Sequence, residues 1–594
     1  MKLPLGQVRS VSLVCLTALL AAACGGGSNG NPPPGGQQLA ANQTLSFPIY
    51  DSFGTLDPAQ LNAETDSEIA QNVFDNLVIF NKDLKVVPDL AQSMPTVSSD
   101  GLTYTFHLRH DVTFSNGDKF TSKDVLYSWN RAAALQGAYS ANLSPIVGFS
   151  QVGDYITKGA GKSMSPAQIE TMLENKDPHV TMPGLTASDD YTVVAKLTGP
   201  AGWWLSAIAL ESTTGAIVDV NAVKGDPANW WTNPATLIGT GPYKMTAYTP
   251  KQSVEFQAVP NWWGSPKPVI KTIHIDILQD PHSGVIAWEQ GKYGLDGFGG
   301  YSNIPIDDVL RIKNSASEKS QLLLHPKVRS YWVSFNMFTD ASRHAGGPFA
   351  TNGPDPAGAL NLRKAFDLAI DKSKIANIVC HNLLCTPADG GLIPPSLFGY
   401  LGKGQDPLAK FDATQAKQLL KSADPTGSKT ANLTYAYDPE NPINVTTAQN
   451  LQDQWQTNLG VHVNLLPVSH SQFIKARLGG AYIMSRDGWQ ADYNHPQDWY
   501  DNLWGKTPGC PDTNCTSGYD TSVYDSILAK ADATVNIQQA LPYYNQLAQM
   551  LIKDVVYIPL YYTVGAFLIK PWVKNGGTNA FFDNYWNTMA ILKH

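Results

Sequence analysis

The stretch from Leu433 to Pro467 narrows the architecture more than any other part of the chain. Leu433–Tyr437 reads as a strand, Val445–Leu459 as a helix stopped by Gly460, and Val461–Pro467 as a second strand. A strand, helix and strand of this length join by a right-handed crossover, which sets the two strands parallel in one sheet. The chain is therefore predicted to be α/β, with ligands expected in a crevice between sheets or domains. Other segments supply more of both elements. Leu102, Tyr104, Phe106 and Leu108 alternate with Thr103, Thr105, His107 and Arg109 as in a half-buried strand, with Asp100-Gly101 and Asn116-Gly117 as turns. Thr121, three residues before Asp124, caps a helix whose Val125, Leu126 and Trp129 share a face. Ile273, Ile275 and Ile277 form another strand, and Leu362, Ala365, Phe366, Ala369 and Ile370 an amphipathic helix.

With 594 residues there is room for roughly three or four domain-sized units. The composition, 43% hydrophobic and 15% charged, excludes a disordered chain or a coiled coil, which need more charge. A net charge of −8 without any basic run argues against nucleic acid as a partner. The first residues read as an address. Lys2 and Arg9 precede the apolar run Val11–Ala23, which is too short to span a bilayer, so residues 1–23 are predicted to be a signal peptide. Leu20-Ala21-Ala22-Ala23-Cys24 is similar to a bacterial lipobox, with Ala21 where Leu is usual, and Cys24 is the expected lipidation site. Residues 24–41, rich in Gly, Pro and Asn, are the expected flexible linker. No later run approaches spanning length. The folded part is thus expected outside the cytoplasm, held to the bacterial cell membrane by lipid alone, on its outer face or periplasmic side.

Catalytic motifs are lacking. Gly26-Gly27-Ser28-Asn29-Gly30 spells a nucleophile elbow but lies in the linker, and Gly159-Ala160-Gly161-Lys162-Ser163 lacks the first glycine of a phosphate loop because Ile156 stands there. His107 and His110 fall on opposite faces of a strand, which disfavours a zinc site. No cofactor, metal or enzymatic activity is expected. Cys380 with Cys385 and Cys510 with Cys515 are two like-spaced pairs. Local disulfides are the simpler reading in an oxidising compartment, with free thiols and a metal site as alternatives. The doublets Trp203-Trp204, Trp230-Trp231 and Trp262-Trp263 serve either core packing or stacking on a ligand.

A series of ordered blocks carries a family resemblance. They are Leu56-Asp57-Pro58, Val73-Phe74-Asp75-Asn76-Leu77, Pro88-Asp89-Leu90-Ala91, Ser99 to Arg109 and Asp124 to Trp129, then Gly239 to Lys244, Asn261-Trp262-Trp263 and Leu362 to Phe366. From Leu45 to His594 the chain resembles the family 5 extracellular solute-binding proteins, the receptors of peptide and nickel ABC importers. Arg486 to Asn494, Ile558 to Tyr562, Lys570 to Val573 and the terminal Lys593-His594 are most similar to its oligopeptide-binding subgroup. The resemblance implies a type II periplasmic-binding-protein-like fold of three lobes. Lobe I would comprise 42–84, 234–328 and 558–594, lobe II 85–233 and lobe III 329–557, with the ligand cleft between lobes I and III. The implied protein is a monomer that binds oligopeptides without chemistry and passes them to a permease with a cytoplasmic ATPase.

By the same resemblance Asp492 binds the peptide's α-amino group, while Trp489 and Gln490 offer backbone hydrogen bonds by β-addition. Gln490 stands where a Cys is best known, which matters little if only the main chain is used. Arg477 and Arg486 match arginines near the peptide's C-terminal half, where a guanidinium suits a carboxylate. His470 replaces an expected Trp. Asn62–Thr65 and Tyr139 are the matching positions on the facing lobe. Two rivals remain. One is a receptor for oligosaccharide or a metal chelate, which has no ammonium for Asp492; the other is a secreted hydrolase of cell-wall peptides, for which no motif is found.

Overall fold

The strand–helix–strand segment forms with its strands parallel, the second starting at Asn464 rather than Val461. Thr434–Tyr437 and Asn464–Pro467 run parallel, with Thr434 opposite Asn464, and the helix Pro442–Leu459 lies between them. The helix begins three residues before the apolar pattern does. Asn441 caps it by accepting from the Ile443 amide, and Pro442 occupies the first turn, where a missing N–H costs nothing. Gly460 ends it at φ 75°, in the left-handed region that glycine enters without strain. Ala448, Leu451, Trp455 and Leu459 form its buried face, and Trp455 Nε1 donates to the Phe366 carbonyl at 3.1 Å.

The computed structural model describes residues 38–50, 54–210, 213–298, 304–338, 347–351, 353–505, 517–519, 521–577, 579, 581 and 584–594. The predictions at Cys24, Cys510 and Cys515 lie outside these residues. So do the signal peptide and all but the last four residues of the predicted linker.

Three larger sheets carry the fold. One has four strands: Thr44–Ile49 parallel to Thr272–Ile277, then Ser253–Ala258 and Tyr243–Thr249 antiparallel. A second, also four-stranded, is wholly antiparallel and contains Thr103–His107 and Thr192–Lys196. In it the predicted alternation holds, with Tyr104 and Phe106 buried and His107 exposed. The third has seven strands, with Leu322–Phe335 and Tyr557–Ile569 antiparallel at its centre. Met484–Gln490 pairs with the far side of Leu322–Phe335 and leads on to the parallel pair at Thr434 and Asn464.

Each sheet seals its own core. Leu45, Phe47, Ile275, Phe567 and Trp586 pack in the first, Phe106, Trp129 and Trp204 in the second, and Trp332, Phe366, Trp455 and Tyr557 in the third. A smaller cluster around Trp288, Val309 and Leu568 adjoins the long strands. The first core is assembled from both ends of the chain, for Gln43 Nε2 donates to the Ile591 carbonyl across 548 residues. Arg131 and Asp57 tie the first two cores together. Both side chains are about 2% exposed, Arg131 Nη1 meets Asp57 Oδ1 at 2.7 Å, and Trp230 Nε1 donates to Oδ2 at 3.2 Å.

Of the two cysteine pairs, Cys380 and Cys385 are joined by a disulfide with Cα atoms 5.5 Å apart. It folds the end of helix Lys372–Cys380 onto the strand Cys385–Pro387. Among the described residues no helix is long and apolar enough to cross a membrane.

Candidate functional site

Met484–Gln490 is asymmetric in its pairing. Along one edge it is bonded throughout to Leu322–Phe335, with Arg329 opposite Gln490, Ser330 opposite Trp489 and Tyr331 opposite Gly488. Along the other, Thr434–Tyr437 pairs only at Met484 and Ser485. From Arg486 to Gln490 that second edge meets no strand among the described residues. An unpaired edge presents a row of amide donors and carbonyl acceptors that an extended backbone can join.

The strand ends at a narrow cavity of about 70 Å³. Gln490, Ala491 and Asp492 line it together with Glu64, Ser67, Glu68 and Gln71 of another segment, and with Tyr139 and Phe80. Glu64 and Glu68 lie one turn apart on the helix Glu64–Ala70, so their carboxylates share a face. Both carboxylate oxygens of Glu64 are buried without a hydrogen bond. Lys327 is a nearby cation, its ammonium pushed down by burial and by Arg329 against the pull of Glu64 and Glu68. Burial pushes the Asp492 carboxyl up to about 7. Behind it stands Asp498, held well above the usual carboxylate range by burial and by the charge of Asp492. Asp498 accepts from the Asp492 amide at 3.0 Å and from Trp489 Nε1 at 3.1 Å, so it positions Asp492 and the last strand residues together. Two acids this close ionise together only when a cation neutralises them.

The structure brings Asp492, Gln490 and Tyr139 to one cavity and sets Asn62 on the exposed approach to the Glu64–Ala70 helix. It holds the other predicted residues, Trp489 and Arg486 on the strand and His470 and Arg477 on the helix His470–Leu478, on acidic partners. Arg486 places Nε and Nη2 at 3.0 and 2.6 Å from Asp438 Oδ1, and His470 Nδ1 lies 2.9 Å from Oδ2 of the same carboxylate. Burial pushes Asp438 up, but His470 and Arg486 outweigh it and hold the carboxyl below its usual range. Arg477 pairs with Asp487, which also accepts from Ser334 Oγ at 2.9 Å. Sequence reasoning missed Glu64, Glu68 and Asp498. The spacing Glu64-x3-Glu68 was a readable signal for a shared helix face.

The tryptophan doublets differ in burial and neighbours. Trp204 and Trp230 are core residues, whereas Trp203 stacks on Tyr493 with ring centres 6.4 Å apart and Trp263 lines a second cavity.

The chain is similar to known proteins along nearly its whole length. The sequence profile of the bacterial extracellular solute-binding proteins, family 5 Middle, matches residues 85–509. The periplasmic oligopeptide-binding protein OppA of Salmonella typhimurium is 26% identical over 566 residues, covering 94% of each chain. The periplasmic murein peptide-binding protein MppA of Escherichia coli is 25% identical over 572 residues, again 94% of each. Among solved structures, the unliganded open form of MppA superposes with a TM-score of 0.72 at 22% identity, covering 94% of this chain and 99% of that one.

Proposed function

The chain belongs to the family 5 bacterial extracellular solute-binding proteins, and from that premise we propose that it captures oligopeptides and delivers them to an ABC permease. Members of this family bind solutes and do not transform them, and the mixed α/β fold is that of the type II periplasmic binding proteins. Peptide as the ligand is carried over from relatives named for it, OppA and MppA.

The observation that carries this reading is the open strand edge at Arg486–Gln490 running into a cavity walled by Asp492, Glu64 and Glu68. An extended peptide needs a main-chain partner and a counter-charge for its α-amino group once water is expelled. Trp489 and Gln490 would supply the first through their backbones, and Asp492 the second. An oligosaccharide would leave the acids unpaired. Lobes with the boundaries 42–84, 85–233, 234–328, 329–557 and 558–594 are proposed; three main cores fit three lobes, and the paired strands Leu322–Phe335 and Tyr557–Ile569 run across two of the boundaries. Cys24 would carry the lipid that tethers the protein to the membrane.

Calorimetric titration of free and N-acetylated peptide against the unmodified protein and Asp492→Ala tests the anchor. Truncating one partner of a buried charge pair costs about 2–5 kcal/mol, roughly 30-fold to several thousandfold in affinity. Acetylation and the substitution should each produce this loss, and together no more than either alone. Equal binding of acetylated and free peptide would remove Asp492 from the role.

A further inference from the structure

A second cavity, of about 610 Å³, lies where residues 71–89 meet Arg109, Trp262–Pro266 and Tyr585–Thr588. None of its walls comes from residues 329–557, and Gln71 and Phe80 are the two residues it shares with the smaller cavity at Asp492. We propose that it is a second ligand site, for an organic cation: a primary ammonium or guanidinium on a flat apolar body.

The wall chemistry is one-sided. Gln71 is 7% exposed and Asn76 0%. Gln71 Nε2 donates to the Glu68 carbonyl at 3.2 Å, and Asn76 Nδ2 donates to the Ile208 and Leu210 carbonyls at 2.9 Å. These bonds fix both amides with their oxygens turned the other way, and neither oxygen has a donor. Oδ2 of Asp75 and Oδ2 of Asp89 are buried without a donor as well. Four buried acceptors on residues that wall one cavity, two of them carboxylates, call for a donor-rich cation that the side chains turn to meet, since each buried acceptor left unmet costs free energy.

Of the cations at hand, Arg109 pulls on Asp89 from a distance, and both Lys82 and Arg109 form their ion pairs with other acids. Lys82 pairs with Asp83 at 2.6 Å and Arg109 with Asp111 at 2.7 Å, its guanidinium stacked 4.8 Å from the Trp263 ring. Burial pushes Asp75 up to about 7, and burial plus the charge of Asp75 pushes Asp89 higher than its ordinary range. A bound ammonium relieves both. Trp262 and Trp263 supply aromatic faces that favour a cation or a flat ring. Water can donate to the four oxygens but brings no charge to the two acids.

Benzylamine is the probe, with benzyl alcohol as its uncharged counterpart, each titrated calorimetrically into the full chain. Benzylamine should bind saturably and the alcohol at least tenfold more weakly. Asp75→Asn and Asp89→Asn should each weaken the amine at least tenfold, whereas Asp492→Ala should leave it within twofold. Thermal melts establish that each variant is folded. If one carboxylate variant does not fold, the other, together with displacement of benzylamine by agmatine from the unmodified protein, decides the matter. Absence of saturable amine binding, equal binding of the alcohol, or loss of amine binding in Asp492→Ala alone would overturn the proposal. The last outcome would assign the amine to the peptide anchor, so the two sites fail independently.

Discussion

Acidification should release the ligand, by an amount that follows from the environment of Asp492. Without ligand its carboxyl is pushed up to about 7 by burial, with Asp498 still higher behind it. A peptide's α-ammonium, with an ordinary pKa of about 7.7–8.0, pairs only with the ionised acid. The affinity therefore scales with the ionised fraction of the acid times the protonated fraction of the amine. At about pH 7.5 that product is about one half, and at about pH 5.5 about 0.03, a fall of roughly fifteenfold or about 1.6 kcal/mol. Because the acids titrate together, the midpoint belongs to the Asp492–Asp498 pair. Titration calorimetry at both pH values, in buffers of different ionisation enthalpy, reads the affinity and the proton count. At the lower pH close to one proton should leave for each peptide bound, and Asp492→Asn should abolish both the release and the pH dependence. Equal affinities at the two pH values, or binding at the lower pH without proton release, would refute the reasoning.

The folded protein should melt at a higher temperature near pH 5.5 than near pH 8. Burial pushes Asp296 and Asp367 up to about 7 and Asp124 up to about 6. The native state thus holds protons that the unfolded chain has lost by about pH 4, and stability falls as pH rises through that window; His495, pushed down to about 3 by burial, opposes them with a single proton. A lower melting temperature at pH 5.5 would contradict this. Asp57→Ala should destabilise by about 3–5 kcal/mol in chemical denaturation, because it strands the buried Arg131 guanidinium; a change under about 1 kcal/mol would mean that water reaches the pair. Cys24→Ser should release the protein into the soluble fraction, and unchanged membrane retention on fractionation would count against lipidation.

Local rules were enough where a segment satisfies its own hydrogen bonds. The Thr121 cap, the strand at Thr103–His107 and the parallel unit at Thr434–Pro467 all follow from short-range pattern and turn chemistry. The start of the 442–459 helix was misplaced because apolar periodicity says nothing about its first turn, which Asn441 and Pro442 define. The candidate site was legible only in part. Asp492 and Gln490 could be picked out because they sit in one ordered block of the family resemblance. Glu64 and Glu68 reach the same cavity from more than 400 residues away in sequence. That proximity is made by tertiary packing and leaves no local trace. The pairing of Arg486 with Asp438 and of Arg477 with Asp487 is likewise invisible in a one-dimensional pattern, since each acid alone reads as an ordinary surface residue.

The bond from Gln43 to Ile591 also sets a clock. A ribosome adding about 5–20 residues per second needs roughly 30–110 seconds to cover the 548 residues between them. Through that interval Leu45 and Phe47 lack Trp586 and Ile591, the last pieces of their core. The cluster around Trp129 draws nearly all its residues from 59–217 and can close first. The emerging polypeptide is therefore a string of finished and unfinished parts, and an unfinished amino-terminal part remains a thread that a narrow channel can pass.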